Sequence, residues 1–310
     1  MSILQMFKPN GPSGFGYGST AEQVTEGISL AGKTFLVTGC NSGIGLESMR
    51  VLTMRGATVI GTGRTVEKAK AACDTVSGKT IPLACELSEP SSVRACIAAI
   101  KERKIKLDSI IANAGIMALP KLETFFGYEA QFFTNHIGHF ILVTGLLDDL
   151  ADDCRVVMVS SDAHLRAPKE GIAFDNLDGA KRYVPFEAYG QSKLANLLFA
   201  KELARKFAGT KKTANAIHPG VIKTNLTRSM NPAVALVFAV AAPLALKSVP
   251  QGAATQVYVA ANPKAADVSG DYWKDSNVAE PSRIANDEAL AKKLWQTSEE
   301  IIAKLPSRAA

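Results

Sequence analysis

The sequence predicts an α/β fold: a single domain on a doubly wound, mostly parallel sheet with helices on both faces. Three observations carry that prediction. Short apolar, β-branched runs alternate with helical patterns from Lys33 onward, the order that makes parallel sheets. Each run closes on a small polar cluster, and in such sheets ligands bind beyond the carboxyl ends of the strands. The first run passes through a glycine-rich loop into a helical pattern, which leaves free backbone N–H groups facing an anion.

Residues 34–38 are the first strand, and Gly39-Cys40-Asn41-Ser42-Gly43-Ile44-Gly45 follows before a helical pattern over 46–55. The spacing is Gly-x-x-x-Gly-x-Gly. Glycines let the backbone approach a ligand, so Gly39, Asn41, Ser42, Gly43, Ile44 and Gly45 are candidate phosphate-cradle residues. A plain tight strand-to-helix turn is the competing reading. A second strand over 57–61 ends at Gly61-Thr62-Gly63-Arg64. In dinucleotide folds an acidic residue here takes the ribose 2′-hydroxyl, whereas an arginine accommodates a 2′-phosphate. The first acidic residue is Glu67 and Arg64 is in place, so NADP(H) is expected over NAD(H). The alternative is that Arg64 only lies over the surface.

Further strands are expected over 80–84, 107–111, 155–159 and 214–217, with helices over 66–72 and 91–104 and one long helical region over 124–147. The polar punctuation falls at Cys85-Glu86-Leu87-Ser88, Ala112-Asn113-Ala114-Gly115, Ser160-Ser161 and His218-Pro219-Gly220. A helix over 183–207 carries Tyr189 and Lys193, four residues apart and so on one face. The stretch after them is apolar nearly all round, the mark of a buried helix. A phenol beside an ammonium suggests proton chemistry, with the ammonium pulling the tyrosine pKa below its usual value of about 10. An ordinary helix with a Tyr and a Lys on its flank is the bland reading.

Residues 1–30 read as an extended arm, with a short helix starting at Ser19 or Thr20, and carry no assigned chemistry. The remaining residues, 31–310, form the domain, which at 310 residues in all has ample length for a core. The net charge of +6 is dispersed, a weak pull toward anionic ligands or surfaces. No stretch interleaves aromatics with Lys and Arg, so nucleic acid is not expected as a partner. Five cysteines form no Cys-x-x-Cys pair and none of the four histidines has metal-ligand spacing, so free buried thiols and no metal are expected. The first 20 residues lack a basic region followed by an apolar core, and a cytoplasmic protein is expected. The apolar run over 231–246 is interrupted by Pro243 and falls short of the roughly 20 residues that span a bilayer. It has three readings: a lid over a greasy substrate (about 226–250), an interfacial membrane contact flanked by Arg228 and Lys247, or a dimer contact.

Taken together, Thr38 through Gly45, Asn113-Ala114-Gly115, Asn135, Ser161, Tyr189 with Lys193, and Pro219-Gly220 with Thr224 resemble the short-chain dehydrogenase/reductase family, in family order. The segments Asn135-His136-Ile137-Gly138-His139-Phe140 and Val159 through His164 resemble its retinol-dehydrogenase branch. The resemblance implies a Rossmann-type fold and hydride transfer between a nicotinamide and an apolar aldehyde, ketone or alcohol. It implies Tyr189 as general acid or base, Lys193 lowering its pKa and holding the nicotinamide ribose, and Ser161 bonding the carbonyl oxygen. Asn135 would sit at a backbone kink holding a water that relays protons to Lys193; a surface asparagine is the alternative. Glu86 and Leu87, Asn113, Ala114 and Gly115, and Pro219, Gly220, Ile222 and Thr224 would complete the cofactor site, and a homo-oligomer is expected. The family usually has Asn at Ala112 and Asp at Glu86. His136, His139, His164 and His218 are expected to pack or hydrogen-bond rather than to ligate. The rival reading is a non-catalytic dinucleotide sensor or scaffold.

Overall fold

The structure is a computed structural model that describes residues 9–222 and 246–306. Its first half runs β1 (Thr34–Val37), α1 (Gly43–Met54), β2 (Thr58–Gly63), α2 (Val66–Cys73), β3 (Lys79–Ala84), α3 (Pro90–Glu102) and β4 (Leu107–Ala112). A hairpin of β5 (Thr124–Phe125) and β6 (Tyr128–Glu129) leads into α4 (Ala130–Phe132), a π turn (Phe133–Ile137) and α5 (Gly138–Gly145). Then come β7 (Leu150–Val159), α6 (Pro185–Lys206), β8 (Thr213–His218), α7 (Val249–Ala261), β9 (Tyr272–Lys274), β10 (Asn277–Ala279) and α8 (Glu288–Lys304).

Eight strands make one sheet in the order β10-β9-β8-β7-β4-β1-β2-β3. All neighbours are parallel except β9 and β10. Successive side chains of a strand face opposite ways. Leu36, Ile60, Ile110 and Val156 therefore enter one core with α3, α5, α6 and α8. Val37, Val59, Ile111 and Val157 enter the other with α1 and α7. Burial on both faces is why these strands read as continuous apolar runs rather than alternating ones. The expected doubly wound sheet is thus the one observed, with two strands, β9 and β10, that the sequence pattern did not declare.

α6 starts with Pro185 in its first turn, and every residue from Tyr189 to Ala200 is buried. Leu194, Leu197 and Leu198 are fully buried, and each such side chain contributes about 1.5–3 kcal/mol on removal from water. That anchoring fixes Tyr189 and Lys193 one turn apart against the sheet.

The region expected as one helix over 124–147 is instead a hairpin followed by three helical pieces. Phe126 and Gly127 both have positive φ (52° and 82°), the turn geometry that closes a tight hairpin. Phe125, Phe126 and Tyr128 pack on Phe133, so their apolar spacing mimics a helical face. Residues 9–31 contain one 3-10 turn (Gln23–Thr25) where a helix from Ser19 or Thr20 was expected. This arm is docked: Ala21 N–H donates to Pro250 O (2.9 Å), Asn262 Nδ2 to Val24 O (2.8 Å), and Arg50 of α1 pairs with Glu22. Most of the expected lid lies outside the described residues, but Ile222, just before it, and Lys247, within it, pair as a parallel bridge.

Candidate functional site

A cavity of about 980 Å³ opens along the carboxyl ends of the parallel strands. At its β1 end, α1 begins against the glycine loop. The N-cap Ser42 makes no side-chain capping bond and the first turn holds no acidic residue. Its backbone N–H groups and the positive end of the helix dipole suit an anion. Gly39, Asn41, Ser42, Gly43 and Ile44 line the cavity. Gly45 lies behind them, where a Cβ would come 2.3 Å from Gly39 O and 2.6 Å from Asn113 Nδ2. Only glycine lets the helix start that close to two strand ends. The same contact is braced by Asn113, whose Nδ2 donates to Thr38 O (2.8 Å) and whose N–H donates to Thr38 Oγ1 (2.9 Å). These features fit a dinucleotide pyrophosphate.

Arg64, at the end of β2, lines the cavity beside Glu86 and Leu87. Its side chain is 68% exposed, and its Nε lies 3.7 Å from Glu86 Oε2. Glu86 is itself held by Ser88, whose hydroxyl donates to its carboxylate (2.9 Å). Thr65, next to Arg64, caps α2 by accepting from Lys68 N–H. Arg64 thus stands beside a helix N-terminus as well as a carboxylate.

At the other end Ser161, Tyr189 and Lys193 share the cavity wall with Pro219, Gly220 and Ile222. The Ser161 hydroxyl works to lower the pKa of the Tyr189 phenol. Ser161 also caps the 3-10 turn Asp162–Arg166 by accepting from Ala163 N–H. Ser160 donates to Lys193 O (2.7 Å) and is committed to the backbone of α6, which leaves Ser161 as the hydroxyl beside the phenol. Lys193 Nζ donates to Val159 O (3.0 Å).

Asn135 is fully buried within the π turn, where the sequence expectation had a kink. Its Nδ2 donates to Ile116 O and Ser192 Oγ, and its Oδ1 accepts from Ile116 N–H, all within 2.9 Å. It stands behind Gly115, where a Cβ would lie 2.9 Å from Asn135 Oδ1 and 3.6 Å from Lys193 Nζ. Asn113, Ala114 and Gly115 line the cavity in front of it. The surface reading of Asn135 is therefore wrong. Thr224 falls outside the described residues.

One expectation needs correction. The ammonium of Lys193 was expected to pull the Tyr189 phenol down. Instead burial pushes the phenol up to about 12, against the smaller lowering effect of the Ser161 hydroxyl, and burial pushes Lys193 down to about 8. Desolvation penalises the charged form of each group. The Lys193 ammonium is also turned to Val159 O, 5.6 Å from the Tyr189 ring centre.

The short chain dehydrogenase family model matches residues 33–235. The chain belongs to that family. It is 42% identical to "Short-chain dehydrogenase TIC 32 A, chloroplastic" of Brassica napus, over 96% of this chain and 97% of that one. It is 38% identical to retinol dehydrogenase 12 of Mus musculus, over 90% and 89%. Among solved structures, a putative uncharacterized protein from Mycobacterium paratuberculosis matches with a TM-score of 0.75 at 34% identity, over 90% of this chain and 97% of that one. A short chain dehydrogenase from Burkholderia cenocepacia in complex with NADP shares the fold, with a TM-score of 0.64 at 23% identity, over 79% and 96%. The retinol-dehydrogenase resemblance holds over most of the chain, and the protein is an oxidoreductase of this family, whose members bind nicotinamide cofactors and act on carbonyl and alcohol groups.

Gln256 and Asp162, beside this dehydrogenase site, were given no role from the sequence, and His164 and His218 hydrogen-bond as expected. Gln256 of α7 reaches under the glycine loop, its Nε2 donating to Ser48 Oγ (2.6 Å) and Ile44 O (3.3 Å). Asp162 joins the Ser161 turn to β9 and to the end of β8. Its carboxylate accepts from Tyr272 OH (2.9 Å) and Lys274 Nζ, and its N–H donates to His218 Nδ1 (3.1 Å). His164 accepts from Ser282 N–H at Nε2 (3.0 Å), so its Nδ1 donates to Ser161 O (2.7 Å). The C-terminal segment thereby holds the Ser161 turn at Asp162 and His164. Strand β9 carried no strong pattern that could have announced this. The cavity lining also includes the apolar Ile116, Met117, Leu119, Phe125, Phe186 and Val221, with the charged Glu123 and Arg166 among them. All five cysteines are free and buried. Among the described residues no helix is long and apolar enough to cross a membrane.

Proposed function

We propose that this dehydrogenase transfers hydride between NADP(H) and an apolar aldehyde or ketone, or the matching alcohol, with Tyr189 as the proton donor and acceptor. The observation that carries the reading is one cavity holding Tyr189, Lys193 and Ser161 at one end and the open N-terminus of α1 with Arg64 at the other. The nicotinamide, when bound, supplies or accepts the hydride. Gly39 to Gly45 would hold the pyrophosphate. Arg64 would hold the 2′-phosphate, with Glu86 and Leu87 near the adenine. Asn113, Ala114, Gly115, Pro219, Gly220, Ile222 and Thr224 would hold the remainder.

Reduction of a carbonyl generates an alkoxide that must take a proton. A phenol whose pKa burial pushes up to about 12 is un-ionised at neutral pH, the protonation state a proton donor needs. Ser161 donates to the carbonyl oxygen where negative charge grows. Lys193, buried one turn from Tyr189, would hold the nicotinamide ribose. Asn135 pins the loop after β4 to α6 and so holds Lys193 against Gly115. The apolar lining at Met117, Phe125 and Phe186 supports a greasy substrate.

The test is the nicotinamide absorbance of purified protein with NADPH or NADH and a panel of carbonyls, retinal and smaller aromatic aldehydes included. Consumption of NADPH with an apolar member is the expected result. Turnover only with polar or anionic carbonyls, or only with NADH, would overturn the corresponding half of the proposal. A cytoplasmic location belongs to the same reading, and recovery of the protein in a plastid fraction would contradict it.

A further inference from the structure

One buried histidine, His139 on α5, bonds both Thr38 and Asn135. It is fully buried. Its Nδ1 lies 2.9 Å from the backbone oxygen of Asn135, and its Nε2 lies 2.9 Å from Thr38 Oγ1. Donor and acceptor accounting fixes the tautomer. Thr38 Oγ1 accepts from the N–H groups of Asn113 and Ala114, each at 2.9 Å. Those two bonds use both lone pairs of the hydroxyl, so its own proton points to His139 Nε2, which must accept. The ring proton is then on Nδ1 and is donated to Asn135 O. Burial keeps the ring neutral, with its pKa pushed down to about 4; the bond to Asn135 O works against that shift, while the nearby Lys193 charge adds to it.

The chain of bonds therefore has one direction. It starts at the N–H groups of Asn113 and Ala114, passes through Thr38 O–H and the imidazole, and ends on the carbonyl of the π turn. The Asn135 side chain is already committed to Ile116 and Ser192. Its backbone oxygen is thus the atom through which the end of β1 reaches it, beside the direct bonds of its side chain to Ile116 in the loop after β4. We propose that His139 is a positioning residue which couples the dinucleotide-side strand ends to Asn135, an inference that rests on the reading of the site above. A single ring, fixed as one tautomer, sets both the approach of the Asn113–Gly115 loop to the cofactor and the seat of Asn135 beside Lys193.

Three substitutions separate the two bonds. His139→Asn keeps an N–H where Nδ1 stood but cannot reach Thr38. His139→Phe keeps the bulk and loses both bonds. Thr38→Val removes the acceptor of the Asn113 and Ala114 N–H groups, with Thr38→Ser as its conservative control. Stranding the Thr38 side of the chain is expected to raise the NADPH dissociation constant about five- to fiftyfold in His139→Asn and Thr38→Val. In His139→Asn kcat should stay within about threefold of the parent, whereas in His139→Phe it should fall by about tenfold or more as well. Thr38→Ser should restore the parent affinity. Equal loss of kcat in His139→Asn and His139→Phe, with both folded, would overturn the proposal, as would unchanged NADPH affinity in all three.

Two readouts need no turnover, so failure of this coupling stays distinct from failure of the proposed reaction. The first is NADPH affinity by nicotinamide fluorescence. The second is the side-chain nitrogen spectrum of the parent protein, in which His139 should appear as the Nδ1–H tautomer without titrating between pH 5 and 9. An Nε2–H tautomer, or titration near the ordinary histidine value, would overturn the assignment. Should His139→Phe fail to fold, the Thr38 pair and the spectrum decide the matter alone.

Discussion

Replacing Arg64 by alanine removes a guanidinium that is 68% exposed and that, among the described residues, pairs at 3.7 Å with Glu86. An exposed pair of that kind contributes about 0–1 kcal/mol, so the fold should scarcely register its loss. The 2′-phosphate of NADPH is different: charge-assisted bonds from a guanidinium to a phosphate are worth about 1.5–3 kcal/mol. That range converts to roughly a tenfold to hundredfold weaker dissociation constant for NADPH. NADH lacks the phosphate and should change by no more than about threefold. Loss of Arg64 also leaves the Glu86 carboxylate uncompensated near the phosphate, so the effect should fall at the upper end of the range rather than the lower. Arg64→Lys, which keeps the charge but not the fork, should lie between parent and Arg64→Ala. The assay is a fluorescence titration of each nicotinamide nucleotide, paired with kcat/KM for each. Equal losses for NADPH and NADH, or a parent protein that prefers NADH, would refute the assignment of Arg64 to the phosphate.

Two further predictions follow from the interior of the site. Lys193 is held below its usual pKa by burial, to about 8 from 10.5. The unfolded chain therefore binds the proton more readily, and this group costs stability at neutral pH, a cost that fades as pH rises from about 8 toward 10.5. Lys193→Met should abolish turnover yet raise the melting temperature at pH 7, and a lowered melting temperature there would refute the desolvation argument. Gly115→Ala puts a Cβ 2.9 Å from Asn135 Oδ1, an atom held by Ile116 N–H and unable to retreat. Overpacking of that kind costs about 1–3 kcal/mol, so both the unfolding midpoint and turnover should fall, and parent-like values for both would contradict the packing described.

The sheet was legible because its strands are buried on both faces and so read as short apolar runs, each closed by the polar cluster that later lines the cavity. Tyr189 and Lys193 were legible because helical spacing alone puts them on one face. The hairpin over β5 and β6 was not, since Phe125, Phe126 and Tyr128 continue an apolar spacing that their packing on Phe133 explains equally well. Gly127 was the available signal for the turn. β9 and β10 are three residues each, too short for a periodic pattern, yet β9 delivers Tyr272 and Lys274 to Asp162. The direction of the Tyr189 shift depended on depth of burial and on where Lys193 Nζ turns, neither of which spacing encodes. The His139 chain was equally hidden, because its partners are far from it in sequence except for Asn135.

The central claim is that the phenol of Tyr189 carries the proton. Tyr189→Phe removes one oxygen from a buried ring and leaves the cavity wall otherwise in place. Measured beside the parent on the same carbonyl, it should bind NADPH with parent affinity while turnover falls on the order of a hundredfold to ten-thousandfold, the range for losing a general acid. Parent-like turnover with intact NADPH binding would contradict the account.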